Sequence, residues 1–313
     1  MIHQNRDSDN RIHVKYAVII LNYNTLSDAI NAAKSVIECS CTKDYIICIA
    51  DNNTNNNDSY VLKNVHMNNT ITLQIDKNEG YAKGNNQAIR YVNNYYIADY
   101  YVVMNPDVCL LKKNTIETLI NHIENSKISG IVGAQPLVWN CNLDQPPEEQ
   151  INIRRIPNKM DLLLLEFSPL RKVFVKKYEK FCYLNYRPYR NRIRFSVPSG
   201  AFFIIDSTCF QKIGLFDENT FLYGEEFIIG YKLKSLNSFF LFVPSIKVKH
   251  QHGASIGNNR FNVNKNAQNF KLLSHLYYAK KYLNASSAFS LFLSVMSRID
   301  YYIRVLYSKM INR

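Results

Sequence analysis

The chain of 313 residues lacks an apolar core of signal-peptide type near its N-terminus, where the residues are polar and charged; it is therefore expected to stay in the cytoplasm. No CxxC pair occurs among the seven cysteines, at 39, 41, 48, 109, 141, 182 and 209, and their number is odd. That argues against a disulfide framework or a zinc module and for buried free thiols. No apolar run reaches the roughly 20 residues that a bilayer-spanning helix needs. The most apolar late stretch, "ASSAFSLFLSVM" at 285–296, stops short of Arg298 and Asp300, so it can lie on a bilayer without crossing it. Internal repeats are absent, as is any RRM, KH or helix-turn-helix pattern, which removes nucleic acid as the expected partner. Acidic side chains are scarce in two segments: 151–194 holds 12 basic and 3 acidic residues, and 260–313 holds 9 and 1, while 1–150 holds 12 and 16. Basic patches of this kind suit phosphate-bearing partners, nucleotides and anionic lipids included.

What the chain does have is 47% hydrophobic and 13% aromatic residues, enough for a sizeable buried core. The runs "YAVIILNYN" (16–24), "DYIICIADNN" (44–53), "ITLQID" (71–76) and "DYYVVMNPD" (99–107) read as buried strands, each delivering a polar side chain at its carboxyl end. Helical patterns separate them, and this alternation argues for a mostly parallel sheet with ligands at the carboxyl rim, where Asn22, Asp51, Asp76 and Asp107 would lie. Beyond Pro136 comes a Pro-punctuated stretch and then "DLLLLEFSPLRKVFVKKYEKF", an inserted amphipathic helical element. "FSVPSGAFFIIDS" reads as a return to the sheet, with Ser199-Gly200-Ala201 making a close backbone approach. Long helical patterns fill about 262–310.

Several constellations carry chemistry, each beside a plainer reading. Asp51 suits a ribose hydroxyl or base edge, or it caps the following turn. "NEGYAKGNNQAI" (78–89) is neither a Walker A loop nor a GxGxxG fingerprint; its backbone N–H groups and Lys83 could face a diphosphate, or its glycines serve only a turn and a helix start. "MNPDV" (104–108) offers Asp107, with Asn105 on the same side, to a hard divalent cation, or is a turn. His250 and His252 stand at strand spacing, as a metal ligand or as structural histidines. Glu225 and Glu226 in "FLYGEEFIIGYKL" are charges amid apolar residues, costly unless they line a cleft or pair. A cleft would raise a carboxyl pKa and suit a general base, and a helix N-terminus after Gly224 would stabilise the same two carboxylates.

Taken in order, these motifs resemble the family 2 glycosyltransferases, in particular the rhamnosyltransferase-like branch of bacterial polysaccharide synthesis, over roughly residues 15–256. The resemblance implies an α/β fold: a GT-A, Rossmann-like, mostly parallel sheet flanked by helices; the basic helical insertion and the C-terminal helices, read from the chain itself, lie outside its motifs. Together with the segments read from the chain, the expected organisation is a polar tail at 1–14, a nucleotide-binding half at 15–135, the insertion at 136–194, an acceptor half at 195–256 and a helical extension at 257–313. It implies an inverting, metal-assisted hexosyl- or deoxyhexosyltransferase that uses a nucleotide-diphosphate sugar and a divalent cation, Mg²⁺ or Mn²⁺. Asn22 and Asp51 would hold the nucleoside, and Asn78, Gly80 and Asn85 would shape its pocket. Lys83 would offset charge on the leaving diphosphate. Asp107 matches the last carboxylate of the family's DxD motif, Asn105 stands where its first Asp often is, and His250 matches the late histidine that completes the metal or diphosphate site. Glu226 matches the catalytic aspartate and Glu225 the residue before it. Glu in place of Asp at the base position, Ile228 where relatives carry an acid, and Lys232 for Arg are departures that bear on the acceptor. The implied acceptor is a glycan or a polyprenyl-diphosphate-linked glycan. The two basic segments would rest on an anionic membrane at the inner face of the plasma membrane, or form a solvated helical face or a homodimer surface. A non-catalytic nucleotide-sugar or polysaccharide binding module is the competing expectation.

Overall fold

Residue alternation in the first strand divides the molecule into two cores. β1 (Ile12–Asn22) sends Tyr16, Val18 and Ile20 into one and Ala17, Ile19 and Leu21 into the other, all buried, as the two-residue period of a strand requires. The computed structural model describes residues 10–54, 58–140, 148–150, 153–184, 192–251 and 264–311. Residues 12–14, expected in a polar tail, belong to the strand: Ile12 pairs with Tyr96 and Val14 is buried, because the apolar alternation already begins there.

The chain continues through α1 (Leu26–Cys39), β2 (Tyr45–Asp51), α2 (Asp58–Lys63), β3 (Thr70–Gln74), α3 (Tyr81–Asn93), β4 (Tyr96–Met104), β5 (Val108–Leu110), α4 (Thr115–Glu124), β6 (Ile131–Asn140) and β7 (Glu148–Gln150). Then follow α5 (Lys159–Glu166), α6 (Ser168–Val173), α7 (Val175–Phe181), β8 (Ile193–Phe195), β9 (Phe202–Asp206), α8 (Ser207–Lys212), α9 (Glu225–Ser235), β10 (Phe239–His250), α10 (Lys265–Tyr282) and α11 (Ser287–Ile311). The strands form one ten-stranded sheet in the order β3-β2-β1-β4-β9-β6-β10-β5, with β7 beside β6 and β8 beside β10. From β3 to β4 all pairings are parallel. Beyond that the sheet is mixed, because β9 runs antiparallel to both β4 and β6 while β6 and β10 are parallel.

Helices α1 and α4 cover the first core with residues such as Ala32, Val36 and Leu119; α3, α8 and α9 cover the second with Ile89, Phe210 and Ile229. A third cluster joins α9 to the C-terminal helices through Phe227, Ile228, Tyr278 and Leu293, and takes in Leu162 from α5. The expected amphipathic element is three short helices. Phe167 is extended between α5 and α6, and the ring of Pro169 would collide with the carbonyl four residues back in a continuous helix. Arg171 supplies the missing donors, its guanidinium reaching the carbonyls of Leu164 and Leu165 at 2.6 and 2.9 Å. Among the described residues Cys39, Cys41, Cys48, Cys109, Cys182 and Cys209 are free thiols.

Candidate active site

In-register pairing puts Asn22 beside Asp51 and Asp51 beside Gln74 at the carboxyl ends of β1, β2 and β3. Asp51 is buried and accepts four hydrogen bonds: from Asn22 Nδ2 at 2.6 Å, the Thr54 hydroxyl at 2.6 Å, the Thr54 N–H at 3.0 Å and Gln74 Nε2 at 2.8 Å. A carboxylate has about four lone-pair positions. Asn22 in turn accepts from the N–H and hydroxyl of Thr25, at 3.0 and 3.2 Å, at the entry to α1. The pair thus ties the strand ends together, and a ribose hydroxyl could reach Asp51 only by displacing one of these donors. Asp76 is exposed just beyond β3. Asn52, which sequence reasoning passed over, is buried with no partner on its Oδ1 and donates to Asn78 Oδ1 at 3.0 Å. Its position next to Asp51 in "DNN" was the available signal.

The 78–89 segment enters α3 through Gly80, whose φ of 100° suits glycine alone. A Cβ there would lie 2.4 Å from the Phe221 carbonyl, and the Tyr81 N–H donates to that same carbonyl at 2.7 Å. Close approach to the segment leading into α9 therefore requires this glycine. Asn78 Oδ1 also accepts from the Gly80 N–H at 3.0 Å, and Asn85, buried, donates to the Tyr81 carbonyl at 2.9 Å. Lys83 is ion-paired with Glu79 at 2.8 Å on the helix surface. Tyr81, another residue not singled out from sequence, carries its hydroxyl into the centre. It donates to the Gly200 carbonyl at 2.9 Å and lies 3.4 Å from Asn105 Oδ1. Burial, reinforced by the charges of Glu225 and Glu226, holds its phenol well above the usual range, so it remains a donor.

Asp107 and His250 meet because β5 runs antiparallel to β10, placing Val108 opposite His250 while the Gln251 N–H bonds to the Asp107 carbonyl at 2.8 Å. His250 Nε2 lies 3.1 Å from Asp107 Oδ1, and both side chains are largely buried. Asp107 Oδ1 receives no hydrogen bond of good geometry. A buried carboxylate oxygen left in this state, with an imidazole nitrogen beside it, fits two positions of a divalent-cation shell. No group of three or more His, Cys, Asp or Glu side chains able to hold a metal occurs among the described residues, so oxygens of a bound diphosphate would have to complete it. His252 lies outside the described residues.

Glu225 and Glu226 open α9 behind Gly224, which is left-handed at φ 81°. Glu225 is buried with Oε2 unpartnered. Glu226 is half-buried, and its Oε1 accepts from the Gly200 N–H at 3.1 Å. A Cβ on Gly200 would lie 2.6 Å from that oxygen, so the close approach read from "PSGA" is made to a carboxylate. Burial, then the charge of Glu226, pushes the Glu225 carboxyl well above its ordinary range. Burial raises Glu226 as well, opposed by the helix-start N–H, by Arg154 and by the Gly200 N–H. The N–H of Asn105 bonds to the Ala201 carbonyl at 2.9 Å. The Asn105–Asp107 turn, the Gly200 loop, Tyr81 and the acidic pair are therefore one connected site at the junction of β4 and β9.

Residues 17–213 match the family model described as glycosyl transferase family 2. No curated protein matches the chain. Among solved structures, a GalNAc-T7 crystallised with UDP, GalNAc and Mn²⁺ is similar at TM-score 0.61 and 18% identity, over 85% of this chain and 48% of that one. This chain therefore spans about half that protein's length. The mannosyltransferase PcManGT of Pyrobaculum calidifontis, in complex with GDP-Man and Mn²⁺, is similar at TM-score 0.53 and 10% identity, over 98% of this chain and 76% of that one. S. aureus TarS with UDP-GlcNAc is similar at TM-score 0.51 and 11% identity, over 92% and 71%. At these identities the likeness is one of fold.

Proposed function

The chain belongs to glycosyl transferase family 2, and from that premise we propose that it is an inverting transferase moving a hexosyl or deoxyhexosyl group from a nucleotide-diphosphate sugar to a hydroxyl of a glycan or lipid-linked glycan acceptor. Cell-surface polysaccharide synthesis, as in the rhamnosyltransferase-like branch, is the proposed setting. The observation that carries the reading is the acidic pair: two carboxyls with raised pKa at the start of α9, linked through Gly200 and Tyr81 to the Asn105–Asp107 turn.

Glu226 is the proposed base. Its carboxylate takes the proton of the acceptor hydroxyl while that oxygen bonds to the anomeric carbon; the bond from that carbon to the diphosphate breaks, and the nucleoside diphosphate leaves with the electron pair. Gly200 fixes Oε1 of Glu226 and leaves Oε2 for the incoming hydroxyl. Asp107 and His250 would hold a divalent cation, which when bound supplies positive charge against the leaving diphosphate. Asn52, with its orphaned Oδ1, joins Asn22 and Asp51 as a proposed nucleoside contact. The solved structures with UDP, GDP-Man or UDP-GlcNAc, two of them with Mn²⁺, support a donor and cation of this class. A binding module without turnover is the second reading, favoured by the internal hydrogen bonds that already fill Asp51 and engage Asn78 and Asn85.

One experiment separates the two. A thermal-shift panel of UDP-, dTDP- and GDP-sugars with Mn²⁺ identifies the donor, and transfer or donor hydrolysis is then measured. Glu226→Gln is expected to lower turnover by about 10²-fold or more, the contribution typical of a positioned base, while keeping the donor-induced shift. Unchanged turnover in the variant would remove Glu226 as the base, and donor binding without turnover in the native protein would favour the binding module.

A further inference from the structure

Helix α11 presents two different sides, a mainly polar one packed inward and an apolar one facing out. Inward, Leu293 joins the third core, the Ser297 hydroxyl reaches Glu166, and Asp300 accepts from the Ser168 N–H at 2.8 Å and from Arg304 Nε at 2.9 Å. Outward, Leu291, Val295, Ile299, Tyr302, Leu306 and Met310 follow one another at steps of three and four, which places them on one stripe of the helix. They are exposed: Leu291 by 67%, Tyr302 by 65%, Leu306 by 63% and Met310 by 76%. A contiguous apolar surface of this length marks an interaction site. A second apolar ridge, Val173-Phe174-Val175, stands exposed where α6 meets α7, with Val173 73% accessible. The Ser168–Asp300 hydrogen bond joins the start of α6 to α11, so the two patches belong to neighbouring helices.

Charge decides what covers them. Arg171, Lys172, Lys176 and Lys177 bracket the ridge, Arg298 and Lys309 flank the stripe, and the segments 151–194 and 260–313 carry 12 and 9 basic residues against 3 and 1 acidic. A second copy applied to either patch would set like charge against like. An anionic lipid surface offers both complements at once, an acyl boundary for the stripe and negative potential for the lysines and arginines. Crossing the bilayer is a different matter: no described helix is long and apolar enough, and the inner side of α11 is committed to Asp300 and Arg304.

We infer that the outer stripe of α11 and the Val173-Val175 ridge seat this protein on an anionic membrane surface, with α11 lying in the plane of the interface. Helix α10 packs against both α11 and α9, and its His275 stacks on Phe227 with ring centroids 5.4 Å apart, so one helix separates the seat from the acidic pair. The inference deepens the proposed function by favouring a lipid-linked acceptor and rests on that reading only for its purpose; binding is measured without turnover, so either can fail alone.

The test is co-sedimentation of the full chain with phosphatidylcholine vesicles, with and without phosphatidylglycerol. Pelleting is expected only with phosphatidylglycerol and is weakened by salt. The pelleted fraction should fall about tenfold or more in L291E/L306E and, independently, in K176E/K177E, with circular dichroism and the donor-induced thermal shift retained. The inference is overturned if the native protein stays in the supernatant with both vesicles or if both variants pellet like it. It is also overturned if light scattering shows a native dimer that L306E converts to monomer without any vesicle binding, which would mean that a second copy covers the stripe.

Discussion

Glu225 is buried, and its Oε2 has no partner. Such a group is normally avoided, since an uncompensated buried charge costs several kcal/mol or forces protonation. Its native pKa lies well above the ordinary 4.5, from burial first and the Glu226 charge second. The folded state therefore holds the proton more tightly than the unfolded state. The resulting stability is fully present below pH 4.5 and is lost as pH rises from there through the native pKa. Glu225→Gln removes that penalty, so it should unfold at a higher temperature than the native protein near pH 7 and at about the same temperature near pH 4. Melting curves across that range check it, and parallel pH slopes in the two proteins would count against the assignment. At this scale the acidic pair was legible because two charges interrupt an apolar run. Asn52 had only its place beside Asp51 as a signal and Tyr81 had none, because the contacts they make, with Asn78 and Gly200, are distant in sequence.

Among elements, the C-terminal helices do more than cover the sheet. Glu166, at the end of α5, is fully buried and gathers His275 at 2.7 Å, Lys271 at 3.4 Å, Gln268 at 3.2 Å and the Ser297 hydroxyl. Burial alone would raise its pKa, but the hydrogen bonds and charges of His275, Lys271 and Ser297 outweigh it and hold the carboxyl at about 2. Here the sign is opposite to that of Glu225: the contribution is present above the ordinary 4.5 and is lost as pH falls towards about 2. Glu166→Gln should cost about 3 kcal/mol at neutral pH and flatten the acid limb, read as a lower urea midpoint at pH 7 and a shallower loss of stability below pH 4.5. An unchanged midpoint would show that the cluster does not hold α5, α10 and α11 together. The helices themselves were legible from their patterns, but not the burial of Glu166, which depends on which side of α5 meets α10.

In the molecule as a whole, β9 is the hinge of the architecture. It lies between the parallel strands β3-β2-β1-β4 and the β6-β10 pair, and its entry loop carries Gly200 to Glu226. Asp107 and His250 are far apart in sequence and are joined by the β5-β10 pairing. A donor held by the nucleoside rim and the Asp107–His250 pair would bind both halves of the sheet. At about 100 times its dissociation constant it should stabilise the protein by about 2.7 kcal/mol. Calorimetry is expected to show one cooperative transition moved upward as a unit by a few degrees; two transitions, only one of them shifted, would mean that the halves unfold independently.

The amino-acid sequence by itself determined the four parallel strands β1 to β4, their polar carboxyl ends, the glycine turns, the acidic pair and the basic bias of the late segments, because periodicity, turn chemistry and charge are local properties of the chain; β6, which runs through Pro136, was not legible in it. The tertiary structure decided the rest. It set β9 antiparallel between two parallel sets, saturated Asp51 with donors from Asn22, Thr54 and Gln74, and buried Glu166. It also left one face of α11 bare while covering the other. Each of these depends on which surfaces meet across long sequence separations, and side-chain pattern alone does not contain that information.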